Sequence, residues 1–303
     1  MRFSLWPDPT RPFEQTLTLV RACEKFGWHA AYFADHFMPN GPDSTPLPGD
    51  TNEAMTTLGA LASQTTSIRL GTLVAAATYR HPAVLTKSFV TLDNISGGRA
   101  IVGLGAGWQL NEHASYGIDL GTVGERVSRF EEYVEVVAMM LSTSSTNFSG
   151  EYYQLSDAPC DPRPVQSPPP ILLGVRGIQR TMALAAKFAA IWNAWCTPEQ
   201  ISELGAVLDG HCEKFGRDPR SIEHSTQSML HLSNDESWLK KFRDGPAGRP
   251  MVVGTPSEVL NTMSQYALAG CDEFIVPCFN LGETSRALDT LSLFDAEVVR
   301  NLG

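Results

Sequence analysis

Along nearly the whole 303-residue chain, short apolar runs alternate with longer segments in which apolar residues recur every three or four positions. The short runs suit strands and the longer ones amphipathic helices. The pairs are RFSLW (2–6) with 12–26, AAYFAD (30–35) with 53–64, SIRLGTLV (67–74) with 82–95, and AIVGLGAG (100–107) with 121–142. They continue as ILLGV (171–175) with 177–188, AAIWNAW (189–195) with 198–214, EHSTQSMLHL (223–232) with 256–269, and EFIVPC (273–278) with 283–297. Strand-then-helix repetition is the mark of parallel βα units. Eight in series predict an α/β fold, a (β/α)8 TIM barrel with insertions; a doubly wound sheet would need a reversal of strand order that a sequence does not display.

Two stretches break the rhythm. Residues 143–169 read as a short hairpin around Ser149-Gly150 followed by a proline-rich extended linker into the fifth strand. Residues 233–255 are polar and rich in glycine and proline, which predicts a short helix and a loop, a candidate lid over a bound ligand. The length would hold two small domains, but barrels of about 200–400 residues form one unit. The expectation is one domain over 1–303 with insertions near 143–169 and 233–255.

Charge removes some partners. A formal net charge of −10 with no basic block argues against nucleic acid and against an anionic membrane surface. No apolar run reaches the roughly 18 residues of a membrane span, and the first residues lack the basic and long apolar regions of a signal peptide, so a cytoplasmic location is expected. The six cysteines are scattered, with no metal-ligand spacing, and predict buried free thiols.

In such a barrel the chemistry lies at the C-terminal ends of the strands. Here those ends are Trp6, Asp35-His36, Leu73-Val74, Gly105-Ala106-Gly107-Trp108, Gly174-Val175-Arg176-Gly177, Trp195, Leu230 and Pro277. The loop GVRGIQR (174–180) leads from a strand into a helix, where free N–H groups and the positive dipole end suit a phosphate, with Arg176 or Arg180 adding charge. His36 is the only histidine at a strand end, and since free imidazoles titrate near ~6.5 it is the candidate proton donor or acceptor. His81 stands at a helix start before Pro82 and reads as structural. Glu112 and His113 face either the mouth or solvent, a choice left open. There is no G-x-S-x-G elbow and no H-E-x-x-H, and Gly103-x-Gly105-x-Gly107 lacks the third glycine of a dinucleotide fingerprint.

Four segments together, FADHF (33–37), LGTLVAAATYRHPAVLTKSFVTLDNISGGRAIVGLGAGWQLNEHASYG (70–117), ILLGVRGIQRTMALAAKFAAIWN (171–193) and VGTPSEVLNTMSQYALAGCDEFIVPCF (253–279), resemble the luciferase-like monooxygenase superfamily, most of all its F420-dependent oxidoreductases. The resemblance implies a barrel that binds a flavin or deazaflavin across its strand ends, as a homodimer. Asp35 and His36 match the motif beside the deazaflavin ring. Leu73-Val74 matches a bulge, often with a non-proline cis peptide, behind the ring. Gly105, Ala106, Gly107 and Asn111 match positions along ring and tail, and Gly174, Val175, Arg176 and Gly177 the phosphate loop. On this reading the glycines at 103, 105 and 107 leave room for the tricyclic ring and its ribityl chain.

Trp108 stands where the sugar-phosphate dehydrogenases of that branch carry a glutamate, which disfavours oxidation of a phosphorylated sugar; Ala190 replaces the usual aspartate before the I/W-N element. The resemblance thus implies hydride transfer between F420 and a small organic substrate, with His36 catalytic and Trp6, Trp108, Trp195 and Phe279 around the substrate. The alternatives are an FMN-dependent two-component monooxygenase fed by a partner reductase, and a noncatalytic flavin-binding barrel.

Overall fold

A computed structural model of the chain describes residues 1–243 and 248–302. Eight parallel strands form the barrel: β1 (Arg2–Trp6), β2 (Ala30–Phe33), β3 (Arg69–Thr72), β4 (Ala100–Gly105), β5 (Ile171–Gly174), β6 (Ile191–Trp195), β7 (Glu223–Gln227) and β8 (Glu273–Pro277). They neighbour one another in chain order. β1 pairs with β8, and β3 with β4 through Leu70–Ala100 and Gly71–Ile101, so the sheet closes without an edge.

The period-two pattern explains the layers. On β1 Phe3 and Leu5 point outward into the helix layer while Ser4 and Trp6 point inward; on β2 Ala31 and Phe33 point out, Ala30 and Tyr32 in. The barrel interior is filled by Tyr32, Ile101, Leu172, Ile191 and Ile275. At its N-terminal end the buried Glu273 carboxyl accepts from Ser4 Oγ at 2.5 Å and Tyr32 Oη at 3.1 Å, and burial raises its pKa.

The helices fall where the pattern places them, from Phe13–Phe26 to Thr284–Glu297, and the longest, Val123–Ser142, begins on a capping box between Thr122 and Glu125. The first insertion is the expected hairpin, Ser145–Ser149 against Gln154–Pro159. All six cysteines are buried and free. Among the described residues no helix is long and apolar enough to cross a membrane.

Two elements depart from expectation. A short helix, Leu110–Tyr116, occupies the stretch between the glycine run and the long helix. The run 223–232 is not one strand: β7 ends at Gln227, and after Ser228 the segment Met229–Leu232 leaves the barrel to pair in parallel with Met251–Gly254. Leu230 therefore does not stand at the mouth, as expected, but lines a separate cavity of about 250 Å³ beside Trp238 and Arg286. Gln227 ends the seventh strand instead. The predicted short helix in the second insertion is Glu236–Arg243; the lid reading falls partly on 244–247, outside the described residues.

Candidate active site

A cavity of about 780 Å³ opens at the C-terminal ends of the strands, the size of a site for a cofactor or drug-sized molecule. Its wall includes Asp35, His36, Leu73, Val74, Gly105, Ala106, Gly107, Gly174, Val175 and Arg176, together with all four expected aromatic residues, Trp6, Trp108, Trp195 and Phe279.

His36 stands three residues past the end of β2. Its Nδ1 lies 2.7 Å from Glu112 Oε1, and the other carboxylate oxygen, Oε2, accepts the Phe37 N–H at 2.7 Å. Tyr79 Oη also donates to Glu112. Burial opposes ionisation of Glu112, but the bonds from His36, Phe37 and Tyr79 outweigh it and hold the carboxyl below its ordinary range. A carboxylate on Nδ1 places the proton there and leaves Nε2 to exchange a proton with a ligand. Glu112, left undecided by the sequence, is thus wholly buried behind His36 and faces neither mouth nor solvent. His113 is buried too: its Nδ1 lies 2.6 Å from the Gln109 carbonyl and its Nε2 2.7 Å from Thr78 Oγ1.

Asp35 is spent on the protein. Arg80 grips it with two bonds of 2.7 and 3.0 Å, and the Ala76 N–H adds a third at 3.1 Å, which ties the end of β2 to the segment after β3. Arg80 also pairs with Glu53, the N-cap of helix Ala54–Gln64. The Leu73–Val74 peptide is cis, as the resemblance implies, and both residues lie in the cavity wall.

The glycine run also has a cause within the protein itself. A Cβ on Gly103 would lie 1.8 Å from the Thr72 carbonyl oxygen, one on Gly105 would lie 2.4 Å from Val74 Cγ2, and one on Gly107, whose φ is +86°, would lie 2.6 Å from Thr78 Oγ1. Neighbouring protein already demands bare backbone at all three positions. Gly105 and Gly107 do line the cavity; Gly103 does not.

Three further expectations change. Asn111 is fully buried off the cavity wall, where Nδ2 donates to the Pro39 carbonyl at 2.9 Å and Oδ1 accepts the Glu112 N–H at 3.0 Å. Gly177 also lies off the wall, its N–H directed to Thr181 Oγ1 at 3.1 Å. Arg180 turns to the long helix, with Nε 2.9 Å from Glu131 Oε1 and Nη2 3.0 Å from Ser128 Oγ. Arg176 remains at the cavity, joined by Arg249 from the second insertion, which no periodicity flags.

The aromatic residues form one corner. The rings of Trp6 and Trp195 are 5.8 Å apart, Phe279 meets Trp6 edge-on at 4.9 Å, and the Arg249 guanidinium carbon lies 4.9 Å from the Trp195 ring centroid. Trp108, half exposed, meets the His36 ring edge-on at 5.5 Å. Asn193 and Gln227, joined by a 2.9 Å bond, supply amides to the same wall, and the Trp6 indole N–H is buried with no partner among the described residues.

The luciferase-like monooxygenase family profile matches residues 1–245. An F420-dependent glucose-6-phosphate dehydrogenase of Kineococcus radiotolerans is 36% identical over 216 residues, 70% of this chain and 62% of that protein. Another, of Amycolatopsis mediterranei, is 34% identical over 159 residues, 52% of this chain and 46% of its own length; the match spans less than two thirds of either relative. The coenzyme F420-dependent tetrahydromethanopterin reductase of Methanopyrus kandleri superposes with a TM-score of 0.84 at 18% identity over 100% of this chain and 99% of that one, a likeness of fold.

Proposed function

The chain belongs to the luciferase-like monooxygenase family, and we propose that it is an F420-dependent oxidoreductase acting on a small organic substrate. The observation that carries the reading is the proton-handling unit in the cavity wall: His36 backed by the buried carboxylate of Glu112.

The wall suits the cofactor. Leu73–Val74 offers an apolar face, the Asn193 and Gln227 amides offer polar atoms to a heterocycle's edge, Gly107 brings bare backbone to the surface, and Arg176 offers a cation beside the β5 loop for a phosphate. When bound, F420 supplies the hydride chemistry. His36 Nε2 gives or takes the accompanying proton at the substrate. Glu112 fixes the ring's orientation and tautomer, Asp35 and Arg80 hold the end of β2 still, and the aromatic corner excludes water.

In this reading the enzyme works in the cytoplasm as a homodimer and a separate reductase renews its reduced cofactor. Val84 (58% exposed) and Ile95 (53%), eleven residues apart on helix Pro82–Ser96, are exposed apolar side chains that a second copy could cover. Titration of the apo-protein with F420 and, separately, with FMN tests the cofactor. F420 binding that His36→Ala leaves intact while turnover disappears supports the reading. Preference for FMN moves the protein to the oxygen-using branch, and binding of neither leaves a noncatalytic barrel.

A further inference from the structure

The walls of the cavity narrow the substrate. Among the described residues, the carboxylate and guanidinium side chains on the wall are Asp35, Arg176 and Arg249. Asp35 is neutralised by the bidentate grip of Arg80, so the wall presents two cations in a chain of net charge −10. Arg176 stands at the β5 loop, on the side assigned above to the cofactor's phosphate. Arg249 stands elsewhere. It enters after the segment 233–248, lays its guanidinium over Trp195 at 4.9 Å, and among the described residues pairs with no carboxylate. Trp195 in turn meets Trp6, and Trp6 meets Phe279.

From this juxtaposition, and resting on the F420 reading, we infer that the substrate is an aromatic or conjugated anion, its flat apolar part held in the Trp6–Trp195–Phe279 corner and its carboxylate or equivalent oxyanion held by Arg249. The stacking supports the assignment. A guanidinium lying over an indole spends its face on the ring and keeps its in-plane N–H groups free, the fork that matches a carboxylate. A neutral substrate would cover that cation without pairing it, which costs free energy, and a cationic substrate would meet two arginines with, among the described residues, no opposing wall carboxylate left unpaired. The aromatic corner sets the other half of the selectivity, since a small hydrophilic anion would leave three rings facing water.

The test uses the F420-loaded protein and, in parallel, the apo-protein, each titrated with 2-naphthoate, with the neutral 2-naphthalenemethanol, and with acetate, followed by tryptophan fluorescence. The expected result is 2-naphthoate binding at least 10-fold tighter than the alcohol, with acetate silent. Arg249→Gln should remove that preference, a loss of about 10-fold or more for naphthoate alone, while F420 affinity stays unchanged. Trp195→Leu should weaken both naphthyl probes equally. Equal affinity for naphthoate and the alcohol in the unmodified protein overturns the inference. So does an Arg249→Gln variant that loses F420 and keeps naphthoate, which would give this arginine to the cofactor's tail. Failure of F420 to bind refutes the cofactor reading alone, and the apo-protein titration still decides the aromatic anion.

Discussion

If the glycines of β4 answer to neighbouring protein and not to a ligand, Gly105→Ala should destabilise the cofactor-free protein. The added Cβ would lie 2.4 Å from Val74 Cγ2, against the roughly 3.5–4.0 Å of an ordinary carbon–carbon contact. Something must move by over ~1 Å. Val74 has little freedom to do so, because a β-branched side chain is stiff at χ1 and this one packs over the bare backbone of Gly174 as well. Overpacking of this kind costs about 1–3 kcal/mol, offset by the ~0.4–1 kcal/mol that alanine gains by restricting the unfolded chain. A net loss of about 1–2 kcal/mol follows. In chains of 150–250 residues each kcal/mol moves the melting temperature by roughly 2–4 °C, so a drop of a few degrees is expected.

The same geometry supplies its control. Val74→Ala deletes both methyls at a cost of about 1 kcal/mol, and in that background Gly105→Ala should cost almost nothing, a coupling of about 1–2 kcal/mol between the two positions. Urea unfolding and thermal melting of the four cofactor-free proteins measure it. If Gly105→Ala is as stable as the parent and loses only F420 binding, the bare backbone is there for the ligand and the packing argument fails.

Three shorter predictions test other parts of the site. Glu112→Gln removes the charge from a carboxylate that takes bonds from His36, Phe37 and Tyr79, and at about 1.5–3 kcal/mol for a charge-assisted bond kcat should fall roughly 10–100-fold with F420 affinity nearly unchanged; steady-state kinetics beside a cofactor titration separates the two. Arg176→Ala should weaken F420 binding whereas Arg180→Ala should not, since Arg180 is held by Glu131 and Ser128; equal losses in both variants would return Arg180 to the phosphate loop. Burial, with Arg2 and Arg69 nearby, lowers His29 to about 4, so the folded protein keeps this imidazole neutral where the unfolded chain protonates it: the contribution is complete above pH 6.5 and is lost as pH falls from 6.5 toward 4. Melting curves across that interval should therefore slope less for His29→Gln than for the parent.

The barrel was legible because each strand carries its own period-two pattern and each helix its own stripe, so neither needs knowledge of the rest of the chain. β7 was the exception. Its residues, EHSTQ, are polar yet enclosed, while the more apolar MLHL beyond it leaves for a partner more than twenty residues away, and an apolar run cannot announce which sheet it will join. The site divides in the same way. His36 and the aromatic residues could be placed because a strand end fixes where a side chain goes. Glu112 could not, since its meaning lies in bonds from positions 36, 37 and 79, reached only when Leu110–Tyr116 folds over the end of β2. The glycines were the most visible feature: a sequence shows that backbone must stay bare, but only the distances to Thr72, Val74 and Thr78 show which protein atoms stand against it. Likewise the motif that drew attention to Arg180 could not show that Glu131, forty-nine residues earlier, had already taken it. Arg249 reached the cavity from a stretch whose composition predicted a short helix and a loop but marked no site residue. Residues whose roles are set by long-range pairing are therefore where reading from sequence stops, and in this protein they include the carboxylate behind His36 and the cation over the aromatic corner.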